Sequence, residues 1–167
     1  MHLRQQLTAA CVLVLCACAS AKVNSGPPLG PVAIEQRLFR DNASGIRNAE
    51  ERVIMDSTTW RDVWRLATAT QATQPPVPSV DFRQNMLLVV ASGRMTIADA
   101  VRVDSVGNRA EMSQAGKRVG IVAVYYTITR DCPASTREAF PVEIVRVRRS
   151  ESTVRFFSRS EAGPGCR

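Results

Sequence analysis

Histidine is almost missing from this chain of 167 residues: the one copy is His2, at the extreme N-terminus. A folded body without histidine cannot build a Ser-His-Asp or Cys-His nucleophilic centre, nor the common histidine-based metal sites. Lysine is nearly absent too, with only Lys22 and Lys117, placed in a polar segment and beside a turn glycine, so neither suits a buried catalytic base. No glycine-rich loop of the phosphate-cradling kind occurs, and no internal repeat is visible. The longest apolar run covers residues 7–19, broken only by Thr8. Helical, it would span about 20 Å, too short for a bilayer core of ~30 Å.

What the run does resemble is a secretory signal: a basic start at Arg4, a short apolar stretch, then small residues. Leu15-Cys16-Ala17-Cys18 is similar to the lipobox of bacterial lipoproteins, with Cys18 as the modified residue. Cys16 follows a leucine too large for that cleavage, and Cys11 comes before the apolar core is complete. The resemblance implies a signal peptide over residues 1–17 and acyl chains, palmitate among them, on Cys18; the alternative is ordinary signal cleavage after Ala19 or Ala21, with no lipid. Several chains on one residue anchor stably, where a single chain binds only marginally. No aspartate follows at Ala19-Ser20. The expected location is therefore the bacterial cell envelope, at the periplasmic face of the outer membrane. Residues 18–31, rich in Asn, Ser, Gly and Pro, read as a flexible tether.

Residues 32–167 are then expected to form a single domain. With 45% apolar residues the chain is no disordered polymer. Its charge of +7 is carried almost wholly by arginine, and the arginines are scattered. In the tightest group, Arg146, Arg148 and Arg149, the first two alternate with Val145 and Val147, which describes a solvated strand face rather than a nucleic-acid groove. Beyond the anchor two cysteines remain, Cys132 and Cys166; an even pair in an oxidising compartment reads as a disulfide, and no metal site is expected.

Periodicity assigns the elements. Residues 32–39 read as a first strand, 52–55 as a second, and Asp56 or Ser57 can cap a helix whose apolar stripe is Trp60, Val63, Trp64 and Ala67. Three prolines make residues 71–79 a loop. The unbroken apolar run at 85–92 fits a buried central strand. Further strands are expected at 100–106, 110–114 around a Gly107-Asn108 turn, and 119–130, with a last hairpin from 140–148 and 153–158. The fold class is α+β: a mainly antiparallel β-sheet or sandwich of about seven strands with one amphipathic helix.

Arg52-Val53-Ile54-Met55-Asp56-Ser57, Trp60, Trp64, Val80-Asp81-Phe82 and the run from Met86 to Gly93 resemble the PrcB-type protease-complex family, as do Phe140 to Val147 and Val154-Arg155-Phe156. The likeness covers residues 53–157. The family's Thr-Gly-Gly-Tyr turn would fall at Thr96, where this chain reads Thr96-Ile97-Ala98-Asp99-Ala100. The same glycines, which also resemble the inhibitory loops of chagasin-like protease inhibitors, are thus lacking. The resemblance implies a non-catalytic, membrane-anchored protein that binds or stabilises a partner, a secreted protease among the candidates, with no cofactor. Position alone nominates two contact loops: Arg94, Met95, Thr96 and Asp99 in one, Ser135, Thr136 and Arg137 in the other. Two alternatives stand beside this reading. One is a small-ligand or lipid-binding periplasmic module. The other is an envelope hydrolase drawing on carboxylates among Asp81, Asp99, Asp131 and Glu138.

Overall fold

The computed structural model describes residues 30–132 and 136–166. In chain order these form β1 (Gly30–Val32), β2 (Ile34–Asp41), β3 (Ala49–Ile54), α1 (Ser57–Ala67), β4 (Asn85–Ser92), β5 (Met95–Thr96), β6 (Ala100–Met112), β7 (Arg118–Arg130), β8 (Glu138–Ala139), β9 (Val142–Arg148) and β10 (Thr153–Ala162). One four-stranded sheet has the order β1-β6-β7-β10 and is called the outer sheet below. A second, β2-β9-β4-β3, is the middle sheet, and β5 pairs with β8 in a short ribbon. Every strand pairing is antiparallel except β7 with β10.

Three layers result. One face of the middle sheet, with Leu87, Val89, Val142 and Ile144, packs on the α1 residues Trp60, Val63, Trp64 and Ala67. Its opposite face, with Leu88, Val90, Val145 and Val147, packs on Val103, Val106, Val122 and Val124 of the outer sheet. The middle sheet is thus buried twice, and this is why β4 is apolar at consecutive positions instead of alternating. Strand β6 has only one dry face, and Val101 and Val103 there are buried while Arg102 is exposed.

Asp56 caps α1, its carboxylate accepting from the backbone N–H of Thr58 at 2.9 Å and Thr59 at 2.8 Å. Both tryptophans are core residues. Their indole N–H groups donate to the Pro78 carbonyl at 2.8 Å and the Pro75 carbonyl at 3.0 Å, so the proline loop lies across the helix and satisfies them.

Four expectations need correction. Ten strands, not about seven, are present among the described residues. The chain is extended from Gly30, inside the segment read as tether, and the first strand is split at Ala33 into β1 and β2, which join different sheets. Gly107-Asn108 is not a turn: β6 runs through it, and β1 pairs there, Pro31 opposite Gly107. A Cβ on Gly107 would stand 3.3 Å from the Gly30 carbonyl oxygen, so the glycine admits a neighbouring strand. Nor is there a last hairpin. After β9 the Arg149 N–H donates to the Gln84 carbonyl and its guanidinium to that of Phe82, and the chain crosses to the outer sheet, where β10 lies parallel to β7.

Candidate functional site: two loops joined at one end of the sandwich

The two nominated loops meet. Met95 stands opposite Ala139 and Thr96 opposite Glu138 in the β5–β8 ribbon, and the Ile97 N–H donates to the Arg137 carbonyl at 3.0 Å. Arg94 pairs with Glu138 at 3.1 Å across the ribbon. Asn42 holds the ribbon from below, its amide donating to the Ile97 and Asp99 carbonyls.

Asp99 is the stitch between the loops. One carboxylate oxygen accepts from the Thr96 N–H at 2.8 Å and the other from the Asp131 N–H at 2.9 Å. Burial pushes its carboxyl up, but the Thr96 and Asp131 N–H groups, the Thr96 hydroxyl and the Arg130 charge together outweigh burial and hold it below its ordinary value. Asp99 and Met95 are therefore buried supports of the ribbon. Arg94, Thr136 and Arg137 are exposed, Thr96 is half-buried, and Ser135 lies outside the described residues.

Behind the ribbon, Cys132 and Cys166 are disulfide-bonded. Asp131 organises the clasp by accepting from the N–H groups of Cys132 at 3.0 Å and Gly165 at 2.6 Å. The approach demands glycine: a Cβ on Gly165 would sit 2.1 Å from the Cys132 carbonyl oxygen.

The four carboxylates considered for hydrolysis serve the backbone or an arginine. Asp99 and Asp131 are engaged as described, Asp81 accepts from the Arg83 N–H at 3.0 Å, and Glu138 pairs with Arg94. Among the described residues no three His, Cys, Asp or Glu side chains gather to hold a metal ion. Cys18 lies outside the described residues, and no described helix is long and apolar enough to cross a membrane.

Sequence reasoning passed over Glu143, the most buried carboxylate. It points from β9 toward the outer sheet, is 0% exposed, and accepts from the Arg37 guanidinium and the Val103 N–H. Arg37 also donates to the Val103 carbonyl at 2.9 Å. Asp104 is the extra residue of a β-bulge between Val103 and Ser105, so Glu143 and Arg37 satisfy the backbone next to the bulge. The available signal was a lone glutamate inside the otherwise apolar stretch 140–145. Tyr126 was also overlooked: its hydroxyl donates to Glu51 at 2.7 Å, and burial together with that carboxylate pushes the phenol up to about 12.

One further feature is an open cavity of about 490 Å³ at the far end of the sandwich, floored by Met86 and Val122 and rimmed by Glu35, Asn108, Arg148 and Arg149. No family model, curated protein or solved structure matches the chain.

Proposed function

We propose that this protein is a non-catalytic, lipid-anchored component of the bacterial envelope that binds a partner protein through the ribbon end of the sandwich. The observation that carries the reading is the junction of the two loops: exposed Arg94, Thr136 and Arg137 stand on backbone that Asp99, Asn42 and the disulfide hold in place. A rigid support under exposed polar and guanidinium groups lowers the ordering cost of association, and arginine is favoured at interface centres. The resemblance to PrcB-type proteins directs the search toward a secreted protease as the partner, and the engagement of Asp81, Asp99, Asp131 and Glu138 speaks against the hydrolase alternative.

A photo-reactive residue at Arg94 or Thr136 in the full chain, expressed in its native envelope, is expected to give one discrete cross-linked protein. The same residue at Arg61 on α1 should not. If Arg94, Thr136 and Arg61 all give the same pattern, the ribbon is not the contact. The cavity over Met86 and Val122 favours the ligand-binding alternative, since an apolar floor with two arginines at its rim suits an amphiphilic anion. Saturable displacement of a fluorescent fatty acid, lost on Arg148→Glu at the exposed rim, would support that second reading.

A further inference from the structure

The four edges of the two sheets differ. Strand β1 has three residues, β2 carries two register irregularities, and β3 places Glu50, Glu51 and Arg52 in succession. Shortness, bulges and charge are the usual devices that keep an edge from pairing with another chain. Strand β10 is blunted less: it is ten residues long, its pairing with β7 runs without a bulge, and among the described residues β7 is its only strand partner. Ser158 to Ala162 are all exposed. The free side of β10 leaves the N–H and C=O groups of alternate residues unpaired by the sheet.

Its side chains read as self-complementary. The face away from the core carries Arg155, Phe157, Arg159 and Glu161, aligned with Ala123, Tyr125, Thr127 and Thr129 of β7. In an antiparallel pair of two copies related by a two-fold axis through Ser158, Arg155 stands opposite the second copy's Glu161, and Phe157 opposite its Arg159. Each contact occurs twice, as two ion pairs and two cation–π pairs. Moving the axis by one residue reverses the charges. Centred on Phe157, Arg155 opposes Arg159; centred on Arg159, that residue opposes itself. Only same-parity registers let both strands present their free backbone groups, and of those that pair most of β10 the Ser158 register alone sets arginine against glutamate.

We propose that the protein forms a two-fold homodimer by antiparallel β10–β10 pairing centred on Ser158, joining two outer sheets into one continuous eight-stranded sheet. The groups involved are accessible: the Arg155 side chain is 59% exposed and that of Arg159 65%, in surface pairs with Glu111 at 3.1 Å and Asp104 at 3.7 Å, Arg159 also donating to the Thr127 hydroxyl. Phe157 already stacks on Tyr125 at 5.3 Å, so the second copy's arginine would extend an existing stack. The dimer does not depend on the heterologous contact proposed at the ribbon end.

The test uses single cysteines in the full chain. At the axis, two Ser158 Cα atoms would lie about 4.5–5.5 Å apart, within disulfide reach. Ser158→Cys should migrate as a disulfide-linked dimer on a non-reducing gel of oxidised envelopes, whereas Ser160→Cys, which faces Phe156, should remain monomeric. The pair Phe156→Cys/Ser160→Cys should restore the cross-link. Separately, sedimentation of the detergent-extracted protein should show a dimer that Arg155→Glu weakens by about tenfold. The reversal Arg155→Glu/Glu161→Arg should recover it. The proposal is overturned by a Ser158→Cys protein that stays monomeric while melting as the wild type does. Equal cross-linking at 158 and 160, or a wild-type chain monomeric at every concentration reached, overturns it as well.

Discussion

Glu143 shows how one side chain can join two sheets. Its carboxylate leaves the middle sheet, meets Arg37 and caps the Val103 N–H beside the β6 bulge. Removing that carboxylate leaves the buried Val103 N–H without a partner, at a typical cost of ~1–3 kcal/mol, while the Arg37 side chain, 42% exposed, turns to water. Glu143→Ala is expected to lose about that much in urea denaturation, and Glu143→Gln markedly less, because the amide oxygen still accepts from Val103. Asp99 makes the matching pH statement. Its folded carboxyl sits below its ordinary value, so the folded chain releases the proton more readily than the unfolded one. The stability this contributes is whole above the ordinary carboxylate value and disappears as pH falls through the lower, folded one. The melting temperature should therefore fall more steeply in the wild type than in Asp99→Asn as pH drops below the ordinary carboxylate value. The pairing of Cys132 with Cys166 was legible from the even count of cysteines left after Cys18. Glu143 was not, because periodicity along one strand does not reveal what stands across the interior.

At the scale of elements, α1 and β4 announce themselves. The helix has a capping aspartate, a stripe of Trp60, Val63, Trp64 and Ala67, and a proline loop to close it. Strand β4 has apolar side chains on both faces because each face meets a different layer. Leu87→Ala, facing α1, and Leu88→Ala, facing the outer sheet, should each cost ~2–5 kcal/mol, while Arg102→Ala on the wet side of β6 should change stability by less than ~0.5 kcal/mol. A denaturant series on the three variants checks this, and a neutral Leu87→Ala would contradict the layer order. The turn expected at Gly107-Asn108 failed for an instructive reason. Glycine there serves the close approach of β1, and local turn chemistry cannot distinguish that use from a reversal.

Across the whole molecule, the disulfide ties the end of the chain back to the loop after β7, over 34 positions of sequence. On the chain-entropy model such a bridge contributes about 3–4 kcal/mol. Reduction under native conditions should lower the denaturation midpoint, and Cys132→Ser/Cys166→Ser should reproduce that loss without further sensitivity to reductant. A double variant as stable as the oxidised wild type would show that β10 and the Asp131 contacts hold the tail unaided. The ribbon end should loosen in the same experiment, since Asp131 serves both the clasp and Asp99.

The amino-acid sequence by itself determined the α+β class, helix α1 and its buried face, the doubly apolar central strand and the cysteine pair. Each depends on residue type, on spacing within a dozen positions, or on an elimination that leaves one partner. Tertiary structure alone decided which sheet receives each strand. It sent β9 and β10 to different sheets, ran β6 straight through Gly107-Asn108, and brought the loops around Arg94 and Arg137 into one ribbon. Those outcomes depend on pairings between segments distant in the chain, where what stands opposite a residue, and not its local pattern, sets the energy.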